Sequence, residues 1–87
     1  MKTVWKVEIK ERSETLRLPI GFKILSTAIQ RDMPVVWIDV DPEEQETTTV
    51  KIKAVATGEH GVKDGDQFIG ALMFCGGSII EHIYLEK

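Results

Sequence analysis

Cysteine and histidine are scarce in this sequence of 87 residues. The single cysteine, Cys75, excludes an internal disulfide and any cysteine-rich metal cluster. It stands in the apolar segment Leu72-Met73-Phe74-Cys75, which predicts a small buried side chain rather than a reactive thiol. Glu59, Asp64 and Asp66 lie near His60, but their spacing matches no zinc or calcium motif, and the other histidine, His82, lies in a strand pattern. The sequence therefore predicts no metal site and no cofactor.

A residue pattern for nucleophilic catalysis is also missing. Ser78, His82 and Asp39 are available, but no serine lies in a strained nucleophile turn of the G-x-S-x-G type. His82 lies in an alternating strand pattern, which is typical of a half-buried histidine bonded to the backbone. We therefore expect no catalytic residues and no enzymatic activity. A hydrolase or transferase that uses a histidine with an acid is kept as an alternative.

Long apolar runs and clusters of basic charge are absent as well. No run approaches the roughly 18–20 residues of a membrane span, and the N-terminus leads into an amphipathic strand rather than a signal peptide. The formal charge is −3 and the basic residues are scattered, unlike the basic patch of nucleic-acid-binding proteins. Lys51 and Lys53 share one strand face, which is typical of a solvated surface. We expect a cytoplasmic protein that does not bind membranes or nucleic acid.

What the sequence does contain is apolar residues that alternate with period two. Trp5-Lys6-Val7-Glu8-Ile9-Lys10 shows this pattern most clearly, and no stretch sustains a helical stripe across three turns. The length and the short connections indicate one domain over residues 1–87. The predicted fold is all-β, or β-rich with at most one short helix. Its architecture is a mostly antiparallel sandwich or half-open barrel of about seven strands.

One segment, residues 22–30, fits either a helix or a strand. Phe22, Leu25 and Ile29 fall at helical spacing, but the β-branched residues and the short polar link at Arg31-Asp32 favour a strand that forms a hairpin with the next one. The remaining strands are predicted at residues 3–10, 14–19, 33–40, 47–57, 67–75 and 78–85. Between the last two, Gly76-Gly77 predicts a two-residue type I′ turn.

The segment Val35 to Val40 departs from alternation because it is apolar on both faces. A short run of this kind predicts a central strand, or one face on the core and the other in a subunit contact. Val35, Trp37 and Asp39 on the second face are therefore candidate interface residues. Trp5 and Trp37 are expected to pack in the core, although either one at a rim would suit a ligand or an interface.

The longest connection, residues 58–66, is rich in glycine. Its backbone N–H groups offer a cradle for an anion, although the sequence neither follows the Walker pattern nor opens a helix. We take Thr57, Gly58, His60 and Asp64 as candidate ligand-binding residues for a small molecule of the nucleotide type.

Several positions along the chain together form a further pattern: Trp5, Leu18-Pro19-x-Gly21-x-x-Ile24-Leu25-Ser26, Trp37, Asp41-Pro42, Thr57-Gly58, Ile69-Gly70, Phe74-x-Gly76-Gly77 and His82. This pattern resembles a small family of uncharacterised proteins encoded by tailed phages and prophages. Similar members often carry Asn-Gly where Arg31-Asp32 stands here, which supports the hairpin. The resemblance implies no activity for any residue.

These observations lead to a functional hypothesis with open alternatives. We expect a non-enzymatic accessory protein of phage or prophage origin that binds a host or phage protein, since exposed sheet edges are available for pairing. Homo-oligomers are expected for the same reason. The alternatives are a protein that binds or sequesters a nucleotide-type ligand and a minor component of the virion.

Overall fold

The alternating segments form seven β-strands in the computed structural model, which describes residues 1–86. They are β1 (Thr3–Glu8), β2 (Ser13–Pro19), β3 (Lys23–Gln30), β4 (Met33–Val40), β5 (Thr47–Ala56), β6 (Gln67–Phe74) and β7 (Ile79–Glu86). The one helical element in the described range is a 3₁₀ turn at Cys75–Gly77. The prediction of an all-β chain with about seven strands is confirmed. Over residues 1–86, no helix is long and apolar enough to cross a membrane.

The strands are divided between two antiparallel sheets. One has three strands in the order β1-β4-β3, and the other has four in the order β2-β5-β7-β6. The run that is apolar on both faces, β4, is the central strand of its sheet, as predicted. Because two separate sheets face each other and do not close into a barrel, the sandwich is the predicted architecture that forms.

Inward-facing side chains from both sheets meet in one apolar core. Alternation places every second residue of β4, β5 and β7 on this inner face. The largest fully buried side chains of this core, which include members of these three strands, are Ile9, Leu18, Ile38, Ile52, Ile83, Leu85, Val36 and Val40. Burial of each such side chain stabilises the fold by roughly 1.5–3 kcal/mol, so this core is the main source of stability.

The segment that fitted both a helix and a strand is strand β3. It pairs with β4 from Lys23 opposite Asp39 to Gln30 opposite Met33, with a β-bulge beside Leu25. A strand is more favourable here than a helix because this pairing satisfies the backbone hydrogen-bonding groups along one side of β4. The hairpin turn at Arg31–Asp32 has φ values of 51° and 61°, so both residues are left-handed as a type I′ turn requires.

The β6–β7 hairpin also forms, but its loop is longer than predicted. Gly76 and Gly77 have φ values of 66° and 95°, and the turn is closed by the Ser78 N–H donating to the Cys75 carbonyl at 3.3 Å. Cys75 itself has a φ of 54°, so the chain leaves β6 at Phe74 and the loop has four residues. This early departure turns Cys75 out into solvent. The prediction of a buried cysteine is therefore wrong.

The two sheets approach each other closely along one side, where β3 lies beside β6. Gly70 is a point of closest approach: a Cβ on this residue would lie 2.8 Å from Thr27 Cγ2. The Thr27 hydroxyl donates to the Val35 carbonyl at 2.7 Å, which fixes the threonine rotamer. Glycine at position 70 is therefore what allows the sheets to meet here.

Neither tryptophan lies in the core cluster. Trp5 pairs with Ile38 and so belongs to the inner face, but it stands on an edge strand and is 38% exposed. Trp37 alternates with the buried Val36 and Ile38, which places it on the outer face of β4. The default expectation of core packing is wrong for Trp37, and Trp5 covers only the margin of the core.

Candidate functional site

The loop between β5 and β6, residues 57–66, covers part of the outer face of the four-stranded sheet. Val55 and Lys53 point outward from β5, yet both are buried, and a Cβ on Gly61 would be only 3.7 Å from Val55 Cγ2. The expectation that Lys51 and Lys53 form a solvated face is wrong for Lys53, which is 7% exposed. The reason is the loop, whose fold across the sheet was not evident from local sequence.

Ion pairs attach the end of this loop to the sheet. Lys53 Nζ lies 2.7 Å from Asp66 Oδ2 and 3.1 Å from Glu86 Oε1, and Lys63 Nζ lies 3.0 Å from the same Glu86 oxygen. Burial lowers the pKa of Lys53, but the hydrogen bonds to both carboxylates outweigh it and raise this pKa above its usual value. The same lysine holds the pKa of Asp66 below its usual range. Two cations and two anions leave this cluster neutral.

The start of the loop is attached by Arg12. Its guanidinium makes a two-pronged contact with the Glu59 carboxylate, with one N–O distance of 2.9 Å, and a further contact of 3.3 Å with Glu81. Glu59 also accepts the Ala56 N–H at 2.8 Å. The hydrogen bonds from Arg12 and from the Ala56 N–H lower the pKa of Glu59 to about 2.

The four predicted ligand-binding residues do not converge on one site. Thr57 and Gly58 line a cavity of about 220 Å³, while His60 lines a neighbouring cavity of about 330 Å³. Asp64 lines neither of these cavities. The cavity beside His60 has lysines in its wall, but the ion pairs described above neutralise most of their charge. The loop residues expected to bind a ligand are thus separated from one another. Their neighbours in the loop, Glu59, Lys63 and Asp66, form the ion pairs that attach the loop to the rest of the protein.

Thr57 and His82 form a contact that resembles part of a catalytic pair. Thr57 Oγ1 and His82 Nε2 are 2.9 Å apart, and both side chains line the 220 Å³ cavity. The half-buried histidine is thus bonded to a side-chain hydroxyl, whereas the sequence predicted a backbone partner. Glu59 lines the same cavity, but its carboxylate is bonded to Arg12 and the Ala56 N–H, so it does not orient the imidazole. Within the described range, no group of three or more His, Cys, Asp or Glu side chains is placed to hold a metal ion.

The three predicted interface residues lie on the outer face of β4, but they differ in exposure. Val35 has no accessible surface, whereas Trp37 and Asp39 are partly exposed. Lys6 reaches across this face, with its Nζ 3.1 Å from Gln30 Oε1. A partner on this face would contact Trp37 and charged side chains, and not Val35.

A more apolar exposed surface lies on the outer face of β6 and β7. Three cross-strand pairs, Phe68 with Tyr84, Ala71 with His82 and Met73 with Ile80, point away from the core, and they include no Asp, Glu, Lys or Arg. Phe68 is 55% exposed and Met73 is 64% exposed. The Phe68 and Tyr84 rings stack edge to face at 5.6 Å. We call these six residues the β6–β7 patch.

Sequence reasoning missed this patch, although a signal for it was present. The segment Phe68 to Phe74 is apolar on both faces, as is Val35 to Val40. Phe68 to Phe74 also contains no charged residue. In β4 the second apolar face is central and partly covered by its neighbours. In β6 it belongs to an edge strand, so the same pattern leaves large side chains in solvent. The position of a strand within its sheet decides between these outcomes, and the local sequence does not reveal that position.

Comparison with known proteins places the chain in a family without assigning an activity. No curated protein and no solved structure matches the chain. The model of one protein family, described as a domain of unknown function (DUF7352), matches residues 1–87. The chain therefore belongs to the DUF7352 family.

Proposed function

We propose that this chain is a non-enzymatic accessory protein that binds another protein through the β6–β7 patch. The observation that carries the proposal is the exposure of Phe68 and Met73 in a surface of three cross-strand pairs without Asp, Glu, Lys or Arg. Exposure of such an apolar surface to water is unfavourable, so its burial against a partner favours association. Aromatic and methionine side chains are also the types enriched in protein interfaces.

The composition of the patch suits a partner with an apolar surface rather than a charged one. Tyr84 and Phe68 supply rigid rings, and His82 and the Tyr84 hydroxyl supply polar groups at the centre and margin. A second copy of the chain is one candidate partner, so homo-oligomerisation belongs to the proposal. A host or phage protein is the other, as the resemblance to phage and prophage proteins suggests.

Phage or prophage origin, with action in the host cytoplasm, is part of the proposal and rests on that resemblance alone. Several positions of the resemblance pattern have backbone roles: Gly21, Gly58, Gly76 and Gly77 all have positive φ. The order of genes beside the coding sequence tests the origin. Neighbouring tail, capsid or lysogeny genes support it, and a setting of metabolic genes with no phage gene nearby contradicts it.

Capture experiments with matched variants test the binding proposal. We expect the tagged protein to retain a specific partner, or itself, from host lysate, and we expect Phe68→Glu and Met73→Glu to lose it because each buries a charge in an apolar contact. Ile20→Glu is the control, since Ile20 is 48% exposed but lies outside the patch. Urea unfolding checks that all variants fold.

Two results would contradict the proposal. One is equal capture by the wild-type protein and both patch variants. The other is a wild-type protein that recovers nothing from lysate and sediments as a monomer at micromolar to millimolar concentration.

Binding of a nucleotide-type ligand at the 57–66 loop is a second candidate with less support. It is favoured by the 330 Å³ cavity beside His60, which has Lys51 and Lys63 in its wall. A ligand at 100 times its Kd stabilises a protein by about 2.7 kcal/mol, so thermal unfolding with a nucleotide panel is a sensitive assay. A flat response would remove this candidate. For a minor virion component, mass spectrometry of purified particles is the corresponding measurement.

A further inference from the structure

A separate cavity opens at one end of the sandwich, and no residue of the β6–β7 patch lines it. Three connections meet there: the β1–β2 link, the Arg31–Asp32 turn and the β6–β7 loop. The cavity measures about 290 Å³, and its apolar walls are Ile9, Pro34, Ala54, Phe74 and Ile79. Alanine at position 54 and the short Cys75 at the rim leave space that larger side chains would fill. We call this the end cavity.

The end cavity combines an apolar interior with a few polar groups, as small-molecule sites do. Ile79 pairs with Phe74 at the end of the hairpin and is 43% exposed, so apolar surface continues from the core to the opening. The volume is at the lower limit of small-molecule sites, so a ligand that fits must be among the smallest that such sites bind.

Charged side chains of both signs stand at the rim. Arg12 and Glu81 line the cavity but are 3.3 Å apart and pair with each other. Lys10 and Asp32 line it too, and within residues 1–86 neither has an ion pair. The rim thus offers one cation and one anion to a ligand.

We propose that the end cavity binds a small zwitterion with an apolar side group, of the class of a free aliphatic or aromatic amino acid. The side group lies between the sheets against Phe74 and Ala54. The carboxylate is near Lys10 and the ammonium group is near Asp32. Each ionic contact at the exposed rim is weak, so burial of the side group supplies most of the affinity.

Cys75 makes this proposal directly measurable, because it is the only cysteine, is exposed, and lines the cavity. The rate of its alkylation by N-ethylmaleimide, followed by mass spectrometry of the intact protein, reports occupancy. We expect leucine or phenylalanine at ten times the Kd to slow alkylation by roughly tenfold. Glycine, which lacks the side group, should give no protection. 4-Methylpentanoate and 3-methylbutylamine, which each lack one charge, should protect less at equal concentration.

Matched variants separate the cavity from the rest of the surface. Ala54→Leu fills the end cavity and should abolish protection, whereas Ala71→Leu adds the same side chain on the exposed outer face of β6 and should keep it. If Ala54→Leu does not fold, Ala54→Val provides the smaller test of the same space. Met73→Glu should bind the amino acid normally, so failure of the patch proposal leaves this one testable.

Three outcomes would overturn the proposal. The first is no protection by any apolar amino acid up to its solubility limit. The second is equal protection by leucine and 4-methylpentanoate, which would exclude recognition of a zwitterion. The third is undiminished protection in a folded variant with the cavity filled.

Discussion

Replacement of Gly70 by alanine tests the close approach of β3 and β6. The new Cβ would lie 2.8 Å from Thr27 Cγ2, well inside the roughly 3.5–4.0 Å of a favourable contact between carbon atoms. The Thr27 methyl group cannot rotate away without loss of the hydrogen bond from Oγ1 to the Val35 carbonyl. The alanine must therefore either separate the two sheets locally or break that bond.

We expect Gly70→Ala to destabilise the protein, although a glycine-to-alanine substitution in a strand is usually stabilising. In a strand, alanine is normally more favourable than glycine by roughly 0.5–1 kcal/mol. Overpacking of a close contact costs about 1–3 kcal/mol. The difference is a net loss of about 1 kcal/mol, which corresponds to a fall in Tm of roughly 4–8 °C for a chain of this length.

A double-mutant cycle measured by urea unfolding assigns the effect to this contact. Thr27→Ser removes the methyl group and keeps the hydroxyl, and no other heavy atom beyond the chain neighbours in the described range lies within 4 Å of the new Cβ. Combined with Thr27→Ser, Gly70→Ala should therefore stabilise the protein by roughly 0.5–1 kcal/mol, with a coupling of about 1.5–2 kcal/mol between the two substitutions. If Gly70→Ala has the same effect with and without Thr27→Ser, the two strands do not approach as described.

Three further predictions concern the hairpin turn and the charged groups. Replacement of Arg31–Asp32 by Asn-Gly should raise the free energy of unfolding by about 1 kcal/mol in urea, because asparagine and glycine adopt left-handed φ with less strain; an unchanged midpoint would contradict this. Lys53→Met should destabilise by about 2–3 kcal/mol because it removes the ion-pair partner of Asp66, whose side chain is 3% exposed. Lys51→Met on the same face should change stability by no more than about 0.5 kcal/mol, and equal effects of the two substitutions would refute the buried pair. The pKa values of Asp66 and Glu59 are lowered in the folded state, to about 2 for Glu59. The two ionised carboxylates therefore stabilise the folded protein fully above the unfolded pKa values near 4, and this contribution is lost as the pH falls toward 2. The urea midpoint should fall over that range, and less steeply in Asp66→Asn; equal slopes would contradict this.

The strands and their sequence limits were predictable because burial alternates with the backbone. Leu16 and Leu18 in β2, or Ile52 and Ala54 in β5, mark the inner face directly. The turn at Arg31–Asp32 followed from the resemblance as well as from spacing. Residues 22–30 were open on local pattern alone, and only pairing with β4 settles them as a strand.

The candidate sites were harder to predict because they depend on which strands lie at an edge and on where a loop folds. The burial of Lys53 follows from a loop whose attachment points, Arg12 and Glu86, are distant in sequence from the residues they bind. The exposure of Cys75 follows from one left-handed residue at the end of β6. The apolar surface of Phe68 and Met73 follows from the edge position of β6.

The order of strands in the two sheets also has a consequence for the route by which the chain folds. The strands of the β3–β4 pair are joined by a loop of two residues, and those of the β6–β7 pair by a loop of four residues. Closing these short loops has the lowest entropic cost among the strand pairs. β1 must pair with β4 and β2 with β5, across long intervening segments. We expect the two hairpins to form early and β1 and β2 to dock late, with folding in the millisecond-to-second range typical of all-β sandwiches. During that interval the backbone edge of β4 that later pairs with β1 is open, and an unpaired strand edge favours misassociation between chains.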